Sequence, residues 1–179
     1  NIEIKKMIKK GIVLAGGTGS RLNPLTKAVN KQLLPIHDKP MIFYPLSVLM
    51  LANIRNILMI VNPGQINNFQ NLLGDGSRFG IKISFVTQDK PRGLPDAFNL
   101  GKKFIANDNV ALILGDNFFY GQSLTKKLEK SSTFNSGCNI FLKDVNQPQN
   151  FGIAKIKNNK IETIIEKPKQ FISRSAITG

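Results

Sequence analysis

Cysteine, histidine and acidic side chains are scarce in this sequence, and each scarcity removes a class of function. Cys138 is the only cysteine, so no intrachain disulfide can form, and a lone thiol is more often buried filler than a nucleophile. His37 is the only histidine. It stands between Pro35 and Pro40, where an imidazole reads as surface or packing rather than as a catalytic base. One His and one Cys cannot make a zinc set, and nothing resembles a Ser-His-Asp arrangement. No apolar stretch reaches the roughly 18 residues needed to cross a bilayer. The densest, 41 to 52, is interrupted by Pro45 and Ser47. No signal-peptide pattern opens the chain, which makes the cytoplasm the default location.

The shortage of acid leaves a net charge of +14, from 25 Lys and Arg against 11 Asp and Glu. Such a balance points to nucleic acid, membrane or anionic small molecules. Here the cations are mostly Lys, thinly spread among many Asn, with no run denser than the pairs Lys5-Lys6 and Lys9-Lys10. That pattern argues against nucleic acid and membrane and leaves phosphorylated substrates. The 179 residues, 41% of them hydrophobic, suffice for one ordinary core. We read residues 1–6 as an N-terminal extension, with Met7 as a natural start, and 7–179 as one core domain. The close at Ile177-Thr178-Gly179, without a final helix or polar tail, reads as a fragment.

Continuous apolar runs at 12–15, 57–61 and 110–114 predict strands covered on both faces. Ile81, Ile83 and Phe85 alternate with polar residues, a further strand. Between them lie a buried helix over 41–52, an amphipathic helix over 66–73 closed by Gly74, and a helix face at Ala97, Leu100, Phe104 and Ile105. A short helix over 124–128 and three strands near 139–145, 153–156 and 161–165 complete the pattern. Pro35 and Pro40 bias their neighbours to extended or turn segments. The alternation defines an α/β chain: a Rossmann-like three-layer sandwich around a mostly parallel mixed sheet, incomplete at its C-terminus. Ligands bind at the carboxyl ends of such strands. Three polar loops fall there: 16–21, 88–94 and 115–117.

The first of these is the richest: Gly11-Ile-Val-Leu-Ala-Gly16-Gly17-Thr18-Gly19-Ser20-Arg21-Leu22-Asn23-Pro24-Leu25-Thr26. Gly16, Gly17 and Gly19 remove Cβ atoms that would hold a ligand off the backbone. Freed N–H groups and the Arg21 fork suit phosphate oxygens. It is not a dinucleotide fingerprint, because position 22 is Leu, nor a P-loop, because Ser20-Arg21 follows Gly19. A tight turn without a ligand remains the other reading. Asp116, directly after a strand, either holds Mg²⁺ or caps the following turn. Lys31 and Lys167 are phosphate clamps or ordinary solvated side chains, and Glu166 a strand-end residue. Tyr44 and Tyr120 read as core or rim aromatics.

Taken together, the motifs resemble those of the sugar-phosphate nucleotidyltransferases, and among these the glucose-1-phosphate thymidylyltransferases. The resemblance is carried by Leu14-Ala-Gly-Gly-Thr-Gly-Ser-Arg-Leu-Asn-Pro-Leu-Thr26, Lys31-Gln32-Leu-Leu-Pro-Ile36, Asp38-Lys-Pro-Met-Ile42 and Tyr44-Pro-Leu-Ser47. Leu72-Leu-Gly-Asp-Gly-Ser77, Leu114-Gly-Asp-Asn117, Phe119-Tyr-Gly121, Glu166-Lys-Pro168 and Ala176-Ile-Thr-Gly179 extend it to the last residue.

The resemblance implies Mg²⁺-dependent formation of dTDP-glucose and pyrophosphate from dTTP and glucose 1-phosphate, the first step of deoxysugar synthesis for surface polysaccharide. It also implies a homo-oligomer. Arg21, Lys31 and Asp116 would be catalytic, with Asp116 on the metal. Leu14, Gly16, Gly17, Gly19, Arg21, Gln32, Gln88 and Gly93 would bind the nucleotide. Asn117, Gly152, Glu166, Lys167 and Ile177 would bind the sugar phosphate. Relative to the family pattern, Phe151 and Ser175 replace Tyr, Pro95-Asp96 replaces Ala-Gln, and Lys155 replaces an acid. Asp96 would bring negative charge near an anionic substrate, and Pro95 would shift a helix start. The family also continues past Gly179, with a second Mg²⁺-binding Asp there. Alternatives are a related transferase with another nucleotide or sugar, and a nucleotide-binding remnant without turnover.

Overall fold

The computed structural model describes residues 7–17, 19–90, 92–133 and 137–178; the extension over 1–6 lies outside them. The chain divides into two compact units, one up to Ser136 and one from Gly137. The first runs β1 (Lys10–Ala15), α1 (Leu25–Ala28), β2 (Pro35–Ile36), β3 (Lys39–Pro40), α2 (Phe43–Leu51), β4 (Asn56–Val61) and α3 (Ile66–Leu73). It continues through β5 (Lys82–Thr87), α4 (Asp96–Leu100), α5 (Lys102–Ile105), β6 (Val110–Leu114) and α6 (Leu124–Ser131).

Its main sheet has the order β5-β4-β1-β6, and every pair is parallel. Parallel strands need crossovers, and the crossovers cover both faces. That is why β1 and β4 are apolar without alternation. On one face Leu49 of α2 presses against Gly11, its Cδ1 lying 2.8 Å from where a Cβ would stand. On the other, Ile12, Leu58 and Ile60 pack with Ala97, bordered by Leu100, Phe104 and Ile105. Helix, sheet and helix make the three layers expected. Each large aliphatic side chain buried here, such as Ile12, Ile57 or Ile60 at 0% exposure, contributes about 1.5–3 kcal/mol.

The helix face expected around 97–105 is broken into α4 and α5 at Gly101. A Cβ there would lie 2.9 Å from Ile12 Cδ1 and 3.0 Å from the Ala97 carbonyl oxygen, so a bare Cα lets the chain settle on the sheet. Pro45 sits in the first turn of α2, where its missing N–H has no intrahelical partner to lose. Helix α3 matches its predicted span, with Phe69 and Leu73 fully buried. Tyr120 departs from expectation: it is 93% exposed, neither core nor rim, because no element follows Gly115 closely enough to cover it before α6 begins at Leu124.

The second unit contains β7 (Leu142–Asp144), β8 (Gly152–Lys157), β9 (Lys160–Glu166) and β10 (Ser175–Ile177), in the order β7-β10-β8-β9. All of its pairs are antiparallel, whereas the main sheet of the first unit is parallel throughout. The reason is local. β8 and β9 are joined by Asn158-Asn159 alone, both left-handed at φ 50° and 58°, a two-residue hairpin turn. β10 occupies the close that the sequence presented as an apolar-to-turn pattern. Among the described residues no helix is long and apolar enough to cross a membrane.

Candidate functional site at the carboxyl edge of the parallel sheet

Strands β1, β4, β5 and β6 end at Ala15, Val61, Thr87 and Leu114. The register pairs Ala15 with Val61, Val61 with Thr87, and Leu14 with Leu114. Gly16, Asn62, Gln88 and Gly115 therefore emerge side by side. A Cβ on Gly16 would lie 3.2 Å from Asn62 Oδ1 and 3.3 Å from Gln88 Oε1; only a glycine lets both oxygens approach the backbone.

Asn62 holds the glycine loop from both sides. The Gly17 N–H donates to its Oδ1 at 3.0 Å, and its Nδ2 donates to the Gly17 carbonyl at 2.8 Å. The expectation of freed loop N–H groups is thus corrected at Gly17, whose amide is already engaged. Further on, the Thr26 hydroxyl and the Leu22 N–H both donate to the Gly19 carbonyl at 2.9 Å. These bonds fold Ser20–Leu22 into a single 3₁₀ turn that leaves Arg21 exposed.

A second 3₁₀ turn, Lys31–Leu33, is capped by Asn30, which accepts from the Gln32 N–H at 2.9 Å. It brings Lys31 Nζ to 2.6 Å from Asp116 Oδ2, with side chains 29% and 32% exposed. The turn around Asp116 is closed by the Asn117 N–H donating to the Leu114 carbonyl at 3.1 Å, while the Asp116 carboxylate meets Lys31. Gln32, 4% exposed, donates through Nε2 to the Gly16 carbonyl at 3.4 Å, and its Oε1 has no hydrogen-bond partner among the described residues. The Gly115 N–H donates to the Leu14 carbonyl at 2.9 Å, joining the start of the loop after β6 to the end of β1.

Gln88 and Asp96 form a buried pair, 6% and 8% exposed, with Gln88 Nε2 donating to Asp96 Oδ2 at 2.9 Å. Asp96 opens α4 and its N–H donates to the Gly93 carbonyl at 3.3 Å. Its carboxylate is directed at Gln88, not left loose to confront an anion. In the first unit the predicted residues Leu14, Gly16, Gly17, Lys31, Gln32, Gln88, Asp116 and Asn117 come together. Gly19 and Arg21 extend the loop, and Gly93 lies on the exposed β5–α4 connection.

In the second unit Gly152, Glu166, Lys167 and Ile177 also gather. Gly152 pairs with Glu166, and a Cβ on it would meet Glu166 Oε2 at 3.0 Å and Ile177 Cδ1 at 3.8 Å. The Lys167 N–H donates to the Phe151 carbonyl at 2.9 Å. Its Nζ stands 3.9 Å from Glu166 Oε1, with both side chains mostly exposed. Sequence reasoning missed Asn62 and Asn30. Asn62 directly follows the apolar run of β4, as Asp116 follows that of β6 one residue further on.

A glycine loop, an Arg, a Lys–Asp pair and a buried amide thus stand together at one edge of a parallel α/β sheet. The chain belongs to the nucleotidyl transferase family, which it matches over residues 10–179. It is 53% identical over 171 residues to a glucose-1-phosphate thymidylyltransferase of Neisseria meningitidis, an alignment covering 95% of this chain and 59% of that protein. The corresponding protein of Mycolicibacterium smegmatis is 46% identical over the same shares. The chain thus spans about three-fifths of the length of these curated relatives. A Bacillus anthracis structure assigned as a glucose-1-phosphate thymidylyltransferase, solved with a sucrose, superposes with TM-score 0.88 at 40% identity, covering 95% of this chain and 69% of that one. A UTP-bound UGPase from Acinetobacter baumannii shares the fold at TM-score 0.79 and 22% identity, over 97% and 73%.

Proposed function

We propose that this chain carries the nucleotide-transfer machinery of a glucose-1-phosphate thymidylyltransferase, acting on dTTP and glucose 1-phosphate. The observation that carries this is the convergence of Gly16, Lys31, Gln88 and Asp116 at one sheet edge in a chain 53% identical to a protein of that name. In the reaction an oxygen of the sugar phosphate attacks the α-phosphorus of the nucleotide in line. The bond from that phosphorus to the β-bridging oxygen breaks, and pyrophosphate leaves. Nothing covalent is asked of the protein, so its contribution is positioning and charge neutralisation.

Arg21, exposed at the end of the glycine loop, forks onto the triphosphate. Lys31 neutralises the charge that builds on the leaving group. Gln88 and Gly93 meet the base, and Leu14, Gly16, Gly17, Gly19 and Gln32 shape the nucleoside bed. Glu166 takes a sugar hydroxyl and Lys167 the sugar's phosphate; Asn117, Gly152 and Ile177 are also assigned to the sugar phosphate.

Asp116 fits Mg²⁺ in its donor chemistry: a hard, partly exposed carboxylate that already holds a cation. Among the described residues no group of three acidic, His or Cys side chains gathers. The protein would therefore supply a minority of the oxygen ligands and the phosphates the rest, the usual arrangement for Mg²⁺. Bound there, Mg²⁺ would offset the repulsion between two anionic substrates. A second reading is nucleotide binding without turnover. A homo-oligomer and a cytoplasmic location accompany the first reading.

The test is pyrophosphate release by the purified chain with Mg²⁺, glucose 1-phosphate and each nucleoside triphosphate in turn. Release with dTTP is expected, lowered about a hundredfold or more in Asp116→Ala. Heat stabilisation by dTTP without release would establish the second reading instead. No release and no stabilisation would sink both.

A further inference from the structure

The Gln88–Asp96 pair has a polarity, and the polarity selects a base. Resting on the nucleotide-binding reading above, we infer that Asp96 is a positioning residue that fixes the Gln88 amide with its carbonyl toward Gly16. The site is thereby set for a base whose ring nitrogen carries a hydrogen, the imide of thymine or uracil, against cytosine.

An ionised carboxylate only accepts hydrogen bonds, whereas a Gln amide accepts at Oε1 and donates at Nε2. The amide cannot be assigned by shape, so its partner assigns it. Here the partner is Asp96 Oδ2, 2.9 Å from Nε2. The Gln88 backbone is anchored as well, its N–H donating to the Val61 carbonyl at 2.9 Å. Turning the amide over would bring Oε1 against a carboxylate oxygen where both residues are less than a tenth exposed. Two acceptors facing each other out of water is a severe penalty. Oε1 is therefore held at the other end, 3.3 Å from the point where a Gly16 Cβ would stand. No hydrogen bond to that oxygen is found among the described residues.

An acceptor fixed at the head of the glycine loop is satisfied by the N3–H of thymine or uracil. It faces a second acceptor in the bare N3 of cytosine. Discrimination built on a buried polar group is strong, because the wrong base leaves the group unpaired. Asp96, eight residues along the chain, does not touch the base and acts through Gln88.

Two measurements test this. In NMR spectra of the free chain, the Gln88 side-chain amide protons should be protected from solvent exchange, and Asp96→Ala should remove that protection. Equilibrium binding of dTTP, UTP and dCTP to the wild-type chain and to Asp96→Asn gives the second readout. An Asn can donate or accept, so the amide is free to turn. The dTTP-to-dCTP affinity ratio should fall about tenfold or more, while the dTTP-to-UTP ratio stays unchanged, since both bases carry the N3–H. A parallel weakening of all three nucleotides would overturn the inference, leaving Asp96 with a merely structural role. So would an unprotected Gln88 amide in a wild-type chain that still binds dTTP. A wild-type chain that binds no triphosphate would instead overturn the functional reading on which the inference rests.

Discussion

The two sheets hold their polar side chains in opposite ways. At the carboxyl edge of the parallel sheet, Lys31 and Asp116 meet at 2.6 Å with about a third of each side chain exposed. Asn62 grips Gly17 from both sides, and Gln88 and Asp96 are buried together. In the antiparallel sheet, Glu166 and Lys167 stand 3.9 Å apart and mostly in solvent. The backbones explain the difference. Crossover helices shield β4 so fully that Ile57 to Val61 are all buried, whereas the hairpin strand β9 is exposed at every position. Fixed polar geometry follows from burial, since a solvated side chain has water as an equal partner for every bond it could make. The residues at the carboxyl edge of the parallel sheet are held by one another, while Glu166 and Lys167 of the second sheet are solvated.

The contrast should be largest in apolar truncations. Ile60→Ala, at a position with no exposure, is expected to lower stability by about 2–5 kcal/mol. Ile164→Ala, 48% exposed on β9, should change it by less than about 1 kcal/mol. Urea unfolding followed by circular dichroism measures both, and similar losses would break the comparison. Glycine substitutions come next. Gly101→Ala drives a methyl into Ile12 and the Ala97 carbonyl, at about 1–3 kcal/mol. Gly152→Ala meets the far end of the flexible Glu166 side chain, which can swing away, so its effect should stay under about 1 kcal/mol. Equal costs would mean that the second sheet is packed more firmly than its exposure implies.

Legibility in the sequence tracked the same division. The run Ile57 to Val61 announced β4 because burial on both faces leaves no other composition; Val110 to Leu114 marked β6 as well, although at the sheet edge only its Ile113 is buried. Helix α3 was plain from its spacing and from Gly74. The antiparallel second sheet was not: Asn158-Asn159 is a hairpin signal that a reading tuned to alternating strands and helices passed over. Within the candidate site, the strand-end positions of Gly16, Gln88 and Asp116 could be read from where apolar runs stop. The pairings could not, because Asn62 and Gly17 are brought together only by parallel register, and Lys31 reaches Asp116 only through the 3₁₀ turn over Lys31–Leu33. Asp96 shows the limit most sharply. As a sequence departure it looked like a misplaced charge, and only its burial against Gln88 reveals a partner.

The finest test of the comparison sets two ion pairs of almost equal length against each other. Lys155 and Glu162, on the paired strands β8 and β9, lie 2.8 Å apart with side chains 55% and 39% exposed; Lys31 and Asp116 lie 2.6 Å apart with less exposure. Distance alone predicts similar coupling. Burial predicts a difference, because the exposed pair exchanges one set of hydrated contacts for another and loses side-chain freedom as well. Double-mutant cycles with alanine at each pair should give about 1–2 kcal/mol for Lys31 and Asp116, a charge-assisted bond partly out of water. Lys155 and Glu162 should couple by no more than about 0.5 kcal/mol. At about 1 M salt, where screening reaches within roughly 3 Å, the second coupling should vanish and most of the first persist. If both couple equally and screen equally, burial is not what fixes the polar side chains at the edge of the parallel sheet. The 2.6 Å contact would then be an ordinary surface pair awaiting its ligand.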